Sequence, residues 1–411
     1  FGKIIILILL LLFGGGTGLT SMFGGGGETN YDPGYDYNSG YDSNYGSDYG
    51  TIDLEALLGG LNSGNTSAGW QESSNAGSLD TSVVSGAREK YTEILGNGRD
   101  EMTILVYLCG TDLESRSKMA TSDLQEMLNA DIGDDVNLIV YTGGCKQWQN
   151  NVLSSRTNQI WQVKDDGLLC LDEDAGSVSM VKPDTLADFI RYGAKKFPAN
   201  RMALIFWDHG GGSVSGFGYD EKYASSGSMD LAEIDQALRD GGVKFDFVGF
   251  DACLMATTET ALMLSDHADY LIASEETEPG IGWYYTDWLT KLSKNTSMPT
   301  VELGREIIDD FVETCARKCP GQATTLSIVD LAEAELTIPD ALAGFSADAV
   351  ELIREEKFAQ VSNARSSSRE FGASSRIDQV DLVHLAKNAS VPFQIPPDSI
   401  NVVSTGSSGG V

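Results

Sequence analysis

The chain is poor in basic residues. It has 28 lysines and arginines against 60 aspartates and glutamates, so its formal net charge is −32 over 411 residues. A surface this acidic excludes nucleic-acid binding, which needs a basic face toward the phosphates. It suits solubility and cationic partners instead. With 41% hydrophobic residues, the chain can bury a sizeable core in one large domain or two ordinary ones.

Cysteine and histidine are also scarce. The six cysteines are too few and too scattered for a disulfide scaffold. They are Cys109, Cys145, Cys170, Cys253, Cys315 and Cys319. Cys315 and Cys319 lie four residues apart on a predicted helix, which favours packing on one face over a metal site. With only three histidines in the chain, one in an unusual setting is informative.

The two ends of the chain differ in composition from its middle. After Lys3, residues 4–13 are apolar and the uncharged stretch continues to residue 23. We expect residues 1–23 to be a signal peptide or a retained membrane anchor. The first residue, Phe1, and a tail at 391–411 that ends in STGSSGGV are typical of a sequence truncated at both ends.

A low-complexity segment follows the apolar stretch. Residues 24–85 contain nine acidic residues, six tyrosines and no lysine or arginine. Such a segment buries too little apolar surface to offset its ordering entropy. We predict that residues 24–98 are a disordered acidic linker that acts as a spacer. A tyrosine-based binding segment is the alternative.

Residues 99–390 have the pattern of a folded domain in which strands alternate with helices. Predicted strands are 102–108, 136–141, 202–207, 245–250, 270–273 and 324–329. Predicted helices are 113–128, 184–196, 231–238, 256–264 and 301–315. This alternation predicts an α/β fold, a three-layer α/β/α sandwich with a largely parallel central sheet. Right-handed crossovers place helices on both faces of the sheet.

Two predicted strands end in residues that carry chemistry. His209 follows the strand 202–207 in a glycine-rich loop, and Cys253 follows the strand 245–250. Because carboxyl ends of parallel strands share one edge of a sheet, we expect these side chains to meet. An imidazole can take the proton of a thiol whose pKa is ordinarily about 8.5. The alternative is an inert cysteine in the core.

Two further features favour a reactive thiol. The helix predicted from residue 256 directs the positive end of its dipole toward Cys253. The backbone N–H groups of Gly210 and Cys253 are candidate donors to an oxyanion. His267 and His384 have no comparable setting, and we predict surface or structural roles for them.

The motifs around these residues resemble the clostripain family of cysteine peptidases. They are residues 102–114 (MTILVYLCGTDLE), 205–212 (IFWDHGGG), 249–255 (GFDACLM) and 273–283 (ASEETEPGIGW). The resemblance covers about residues 100–390. It implies the caspase-type fold that this family shares with legumain, separase and gingipain. It also implies a bacterial protein that is secreted or anchored at the cell surface.

The resemblance assigns roles to individual residues. It implies that His209 and Cys253 form a catalytic dyad with no third member required. It also implies that Asp251 lines the S1 pocket and selects a basic P1 side chain, Arg over Lys. A strand-end carboxylate that binds backbone amides is the alternative for Asp251. A second S1 acid is open among Glu275, Glu276 and Glu278.

The resemblance also implies processing and a metal. Some members are activated by cleavage in the loop at residues 217–228, where Lys222 is the one basic residue, which predicts a cut between Lys222 and Tyr223. An ordinary exposed lysine is the alternative. Some relatives depend on calcium, for which oxygen ligands are available at 165–166, 172–174 and 220–221. A solvated acidic face is the alternative there.

The predicted function is a cysteine endopeptidase for protein or peptide substrates with a basic P1 residue. The chemistry of the dyad requires no cofactor. Two rival functions stay open: a surface-tethered binding protein that keeps the fold without the chemistry, and another thiol enzyme, either an amidase or a transpeptidase.

Overall fold

The structure is a computed structural model that describes residues 83–322, 324–373, 377 and 379–389. The predicted signal or anchor segment, residues 24–82 of the predicted linker, and the tail at 391–411 lie outside the described residues. Among the residues that are described, no helix is long and apolar enough to cross a membrane.

An eight-stranded sheet forms the centre of the domain. Its strand order is β4-β3-β2-β1-β5-β6-β7-β8. Its strands are β1 (Met102–Cys109), β2 (Val136–Gly143), β3 (Gln159–Lys164), β4 (Gly167–Asp172), β5 (Arg201–Trp207), β6 (Phe245–Asp251), β7 (Ala268–Ala273) and β8 (Ser327–Asp330). Strands β1, β2, β5, β6 and β7 run parallel, whereas β3, β4 and β8 are antiparallel to their neighbours. The largely parallel sheet is thus confirmed.

Helices cover both faces of this sheet. Those before β8 are α1 (Thr111–Ser115), α2 (Met119–Leu128), α3 (Pro183–Lys196), α4 (Gly212–Ser215), α5 (Leu231–Gly241), α6 (Thr258–Leu264), α7 (Tyr285–Lys294) and α8 (Thr300–Lys318). After β8 come α9 (Leu331–Arg354), α10 (Phe358–Ser366), the short strands β9 (Glu370–Phe371) and β10 (Gln379–Val380), and α11 (Leu382–Asn388). Helices α3, α5, α6 and α9 form one layer, and α2, α7 and α8 form the other. The α/β/α sandwich is confirmed.

Burial on both faces explains the apolar runs of the central strands. All residues of β1, β5 and β6 are buried. A parallel sheet that is covered by helices on both sides has no solvent-facing side, so its strands do not alternate with polar residues. Leu105, Tyr107 and Phe206 point into the layer of α3 and α5. Small residues let the layers approach: a methyl group on Gly193 of α3 would lie 2.5 Å from the Leu105 side chain.

Two local predictions were wrong. The helix predicted at 113–128 is interrupted at Lys118, whose φ of 61° lies in the left-handed region, and it forms the two helices α1 and α2. The hairpin β3–β4 was missed, although Asp166-Gly167 between two apolar segments is a hairpin signal. Asp165 and Asp166 form its turn.

Residues 83–98, the end of the predicted linker, lie against the folded domain. Arg88 donates to Asp269, which also accepts hydrogen bonds from two backbone amides of this segment. Lys90 forms an ion pair with Asp330, and the amide of Val84 donates to Glu333. These pairs use basic side chains that the rest of the linker lacks, so the segment packs on the domain before β1 begins.

Candidate active site

The two loops that carry His209 and Cys253 start at neighbouring strand ends. Strands β5 and β6 are parallel neighbours, with Trp207 opposite Asp251 at the last paired position. His209 and Cys253 each follow that position by two residues. The structure therefore brings the two predicted dyad residues to the same edge of the sheet, as the sequence predicts.

Direct backbone packing joins the two loops. A Cβ atom on Gly210 would lie 2.0 Å from the carbonyl oxygen of Cys253, so only glycine permits this approach. On the other side of the nucleophile, Leu254 has a φ of 66°, an unusual conformation for a residue with a branched side chain. Such conformations cost about 1–3 kcal/mol and persist where the surroundings enforce them.

His209 is held by an acidic partner that the sequence analysis did not identify. Its Nε2 atom lies 2.9 Å from Oδ1 of Asp112, at the start of α1. The hydroxyl of Tyr219 donates to the same oxygen over 2.6 Å, and its ring stacks on the imidazole with centroids 5.6 Å apart. The His209 side chain stays 32% exposed, so a substrate can reach it.

The charges around His209 favour its protonated form. Burial lowers the pKa of His209, but the hydrogen bond that its imidazole donates to Asp112 and the charge of Asp208 outweigh burial and raise the pKa above its usual value. Burial opposes ionisation of Asp112, yet its bonds to His209 and Tyr219 lower the pKa of Asp112 to about 2. Burial raises the pKa of Asp208 to about 7. An imidazolium formed during a reaction would thus be stabilised.

Cys253 is half-buried and needs a base. Its sulfur accepts a hydrogen bond from the backbone N–H of Glu278 over 3.2 Å. Burial, followed by the charge of Glu278, raises the pKa of the Cys253 thiol to about 12. The predicted help from a helix dipole is not observed. Helix α6 begins at Thr258 with Thr257 as its N-cap, and the dipole effect falls off within one turn.

Asp251 is buried two residues before Cys253. Its Oδ1 accepts the backbone N–H of Trp283 over 3.1 Å, and its Oδ2 accepts the hydroxyl of Tyr285 over 2.8 Å. One of these partners is a backbone amide, and the alternative role for Asp251 was a strand-end carboxylate that binds backbone amides. Burial raises the pKa of Asp251 to about 7. The carboxylate is therefore positioned by its neighbours without being neutralised by a basic side chain.

Glu278 is the acid of the following loop that faces Asp251. Its buried carboxyl interacts with the Asp251 carboxyl and with the Trp283 indole through side-chain hydrogen bonds. Burial and then the charge of Asp251 raise the pKa of Glu278 well above its usual value. The two other candidates point elsewhere, since Glu275 accepts from Ser327 and Glu276 accepts from the amide of Gly372.

A third buried acid, Asp123, was missed by the sequence analysis. It accepts the indole N–H of Trp207 over 2.7 Å. A Cβ on Gly282 would lie 2.9 Å from both the Asp123 and Asp251 carboxylates. Burial and then the charge of Asp251 raise the pKa of Asp123 well above its usual value. An aspartate beside Leu124 on the buried face of α2 was the available signal.

The predicted processing loop is fastened to the domain. The backbone amides of Lys222 and Tyr223 both donate to Oδ1 of Asp220, which is itself buried. The Lys222 ammonium donates to the carbonyl of Ser155 over 3.1 Å, and the Tyr223 hydroxyl donates to the carbonyl of Ser177. The Lys222–Tyr223 bond is thus half-buried in this conformation.

The acidic stretches considered for calcium bind backbone groups instead. Asp165 accepts the amide of Ile132, and Asp220 accepts amides as described above. Asp174 accepts the hydroxyl of Thr157. Within the described ranges, no group of three or more His, Cys, Asp or Glu side chains has the arrangement of a metal site.

The remaining histidines and the cysteine pair have packing roles. His267 is buried and bonds to Asp235 over 2.8 Å, and His384 accepts the amide of Arg369. Cys315 and Cys319 are buried at the end of α8. Among the described residues, no hydrogen bond connects any of these four side chains to the sheet edge that carries Cys253.

Comparisons with known proteins relate the chain to one family of peptidases. The model of the clostripain family, peptidase C11, matches residues 106–405. A secreted C11 cysteine protease from Bacteroides thetaiotaomicron, solved with an irreversible peptide inhibitor, is 22% identical over 60% of this chain and 70% of its own, with a TM-score of 0.48. An inactive zymogen C11 protease from Parabacteroides distasonis is 23% identical over 60% and 66%, with a TM-score of 0.48. No curated protein gives a significant match.

The family match covers well over half of the chain and includes both loops of the site. It spans His209, Asp251 and Cys253, which the fold gathers at one sheet edge. The chain belongs to the clostripain family of cysteine peptidases.

Proposed function

We propose that this peptidase is an endopeptidase that cleaves after arginine or lysine, with Cys253 as nucleophile and His209 as general acid and base. The pocket of buried carboxyls beside Cys253 carries this proposal. In the described part of the chain, no salt bridge joins Asp251 or Glu278 to a basic side chain. A cationic P1 side chain would supply that missing charge.

The proposed reaction starts with proton transfer from Cys253 to His209. The thiolate attacks the scissile carbonyl carbon, and the carbonyl π electrons move to the oxygen to form an oxyanion. The imidazolium then gives its proton to the amine as the C–N bond breaks, which leaves an acyl-enzyme. Water deprotonated by His209 attacks this thioester, and the thiol leaves. The charges of Asp112 and Asp208 stabilise the imidazolium formed in each half of the reaction.

Two backbone N–H groups are proposed to bind the oxyanion, those of Gly210 and Cys253. Gly210 pairs with Phe217 in an antiparallel bridge. The hydrogen bonds of that bridge come from Gly211 and Gly218, so the Gly210 amide does not contribute to them. Preorganised donors of this kind contribute about 10²–10³-fold to the rate in acyl-transfer enzymes.

The S1 pocket is proposed to bind the P1 cation between Asp251 and Glu278. Two facing buried carboxyls are costly to ionise together, so a cation between them stabilises both ionised forms. A guanidinium can donate to both acids through its planar fork, which favours arginine over lysine. Asp123 lies beside the same pocket, since a Cβ atom on Gly282 would lie 2.9 Å from both its carboxylate and that of Asp251.

Replacing the nucleophile tests the proposal. Cys253→Ala is expected to lower the cleavage of an arginyl reporter peptide by about 10⁴-fold or more, because loss of a nucleophile removes the covalent pathway. The matched control is Cys170→Ala, which changes an exposed cysteine on β4 and leaves activity intact. Circular dichroism and thermal unfolding establish that both variants fold.

Two outcomes would overturn the proposal. Full activity in Cys253→Ala excludes thiol catalysis at this residue. A protein with no cleavage of any peptide, or one that transfers acyl groups to amines in place of water, supports a rival function. A panel of peptides with Arg, Lys, Asn or Asp at P1 separates basic specificity from that of a legumain or caspase type.

We also propose self-processing between Lys222 and Tyr223. Because the loop is anchored by Asp220 and by the Lys222–Ser155 bond, cleavage requires local opening and is expected to be slow. N-terminal sequencing of matured protein should find a new start at Tyr223. Lys222→Ala should abolish this start, whereas Lys164→Ala, at an exposed lysine on β3, should not. An active protein with an intact chain contradicts the proposal.

The remaining expectations about location and cofactors are proposals as well. We place the protein outside a bacterial cell or at its surface, tethered or released according to the fate of residues 1–23. Its partners are protein or peptide substrates. Calcium dependence, implied only by family resemblance, stays a prediction that activity in a chelator against added calcium would test.

A further inference from the structure

Asp112 lies at the site, but the proposed dyad of His209 and Cys253 assigns it no role. Its Oδ1 atom lies 2.9 Å from Nε2 of His209 and also accepts the Tyr219 hydroxyl over 2.6 Å. The imidazole is thus bound at its edge by Asp112 and covered on its face by the Tyr219 ring. Two contacts of different kinds restrict the rotation of the same side chain.

We propose that Asp112 is a positioning residue for His209, and that Tyr219 holds Asp112 in place from the loop that contains Lys222. The proposal rests on the dyad proposed above. Asp112 does not touch the reacting atoms; it orients the imidazole and stabilises its protonated form. The same arrangement of carboxylate, imidazole and nucleophile operates in serine peptidases.

The backbone around Asp112 supports this role. The preceding residue, Thr111, is buried and has a φ of 45°, which is rare for a β-branched residue. Its hydroxyl donates to Oδ1 of the buried Asp208 over 2.9 Å. Strained conformations of this kind are retained where the surrounding structure enforces them, often at functional sites. Here the strain turns the chain between β1 and α1 so that Asp112 faces the histidine.

Tyr219 connects this arrangement to the processing loop. Its backbone amide donates to Oδ2 of Asp208 over 3.0 Å, so its position is set by the loop that carries His209. Lys222 follows Tyr219 by three residues in the chain. Cleavage after Lys222 therefore cuts the chain three residues beyond Tyr219. We expect the contact between Tyr219 and Asp112 to change when the loop is processed.

The groups that face His209 define the electrostatic prediction. Asp112 and Asp208 are its acidic neighbours, and Tyr219, whose ring stacks on the imidazole, is the neutral titratable one. Arg116 lies 3.8 Å from Oδ2 of Asp112 and is itself exposed. Asp112→Asn removes one of two acids that raise the pKa of His209, so that pKa should fall.

The experiment compares Asp112→Asn with the intact enzyme on an arginyl reporter. We expect kcat to fall by about 10²-fold with KM nearly unchanged, because orientation acts on the transition state and not on P1 binding. Asp188→Asn, at an exposed aspartate paired with Arg191 on α3, is the matched control and keeps full activity. Asp112→Glu restores part of the rate if a carboxylate is what matters.

A second readout separates positioning from folding. In the Cys253→Ala background, imidazole proton signals can be followed by NMR, since the chain has only three histidines. A lower pKa of His209 in the added Asp112→Asn variant supports the proposal. A kcat within threefold of the intact enzyme, or an unchanged pKa of His209, overturns it. If Cys253→Ala itself stays active, the proposed function fails instead, so the two failures are distinguishable.

Discussion

Asp251→Asn is expected to lower kcat/KM for an arginyl reporter by about 10²–10³-fold, because removing one partner of a buried charge pair costs about 2–5 kcal/mol. Asparagine keeps the size of the side chain but has one acceptor oxygen for the Trp283 amide and the Tyr285 hydroxyl. What the substitution removes is a negative charge, and that charge acts on a cationic P1 side chain. The loss should therefore be specific to basic P1 residues. Cleavage of a peptide with a neutral P1 residue, measured in parallel, should change little.

Glu278→Gln is the companion variant, and Glu276→Gln is its matched control. Both glutamates belong to the loop after β7, but only Glu278 faces Asp251. We expect Glu278→Gln to weaken binding of a basic P1 and Glu276→Gln to leave it unchanged. Equal losses in the two variants would mean that the loop, and not the Glu278 charge, sets specificity.

The same pocket predicts a pH dependence. Burial raises the pKa of Asp251 to about 7, so in the free enzyme its carboxyl is protonated below that pH and ionised above it. Only the ionised form attracts a cation. KM for an arginyl reporter should therefore fall as pH rises from about 6 to about 8, and Asp251→Asn should flatten this change.

Gly210→Ala should lower activity strongly, although it adds only a single methyl group. The new Cβ would lie 2.0 Å from the carbonyl oxygen of Cys253, and neither partner is the end of a flexible side chain. The two loops must move apart by about 1 Å or more, and a displacement of that size can lower the rate by about 10²-fold. Activity on the reporter peptide and thermal unfolding are the measurements.

Gly344→Ala is the control for this substitution. Gly344 lies within α9, and a methyl group there meets no atom within 4 Å. Alanine in the interior of a helix is more stable than glycine by about 0.5–1 kcal/mol, so this variant should unfold at a slightly higher temperature with normal activity. Normal activity in Gly210→Ala would show that the loops do not depend on each other for their geometry.

Much of the fold could be predicted from patterns along the chain. The parallel strands β1, β2, β5, β6 and β7 are buried, continuous apolar segments. In the helices between them, the apolar residues recur with clear helical periodicity. The hairpin β3–β4 was not predicted because its second strand is half exposed and carries no strong pattern. The break at Lys118 was not predicted because no glycine or proline marks it.

The site was predictable only where the chain itself marks it. His209 in a run of glycines and Cys253 at a strand end are adjacent in sequence to the signals that identify them. Asp112 belongs to the motif at residues 102–114, but the sequence assigns it no role. Its contact with His209 joins residues 97 positions apart, and no local spacing pattern predicts such a contact. The sequence could not identify Glu278 as the acid that faces Asp251. Glu275, Glu276 and Glu278 lie within four residues, and only the direction of each side chain in the fold distinguishes them.

The sequence by itself determined the class of fold, the family and the placement of His209 and Cys253 at one sheet edge, since each depends on local patterns: apolar runs, helical periodicity and the residues that follow strand ends. The tertiary structure decided which acids surround these two residues. Asp112, Asp123 and Glu278 come from three separate segments, and packing brings them to the edge of β5 and β6. Burial then changes their pKa values, because desolvation depends on the neighbours that the fold supplies and not on the residue itself.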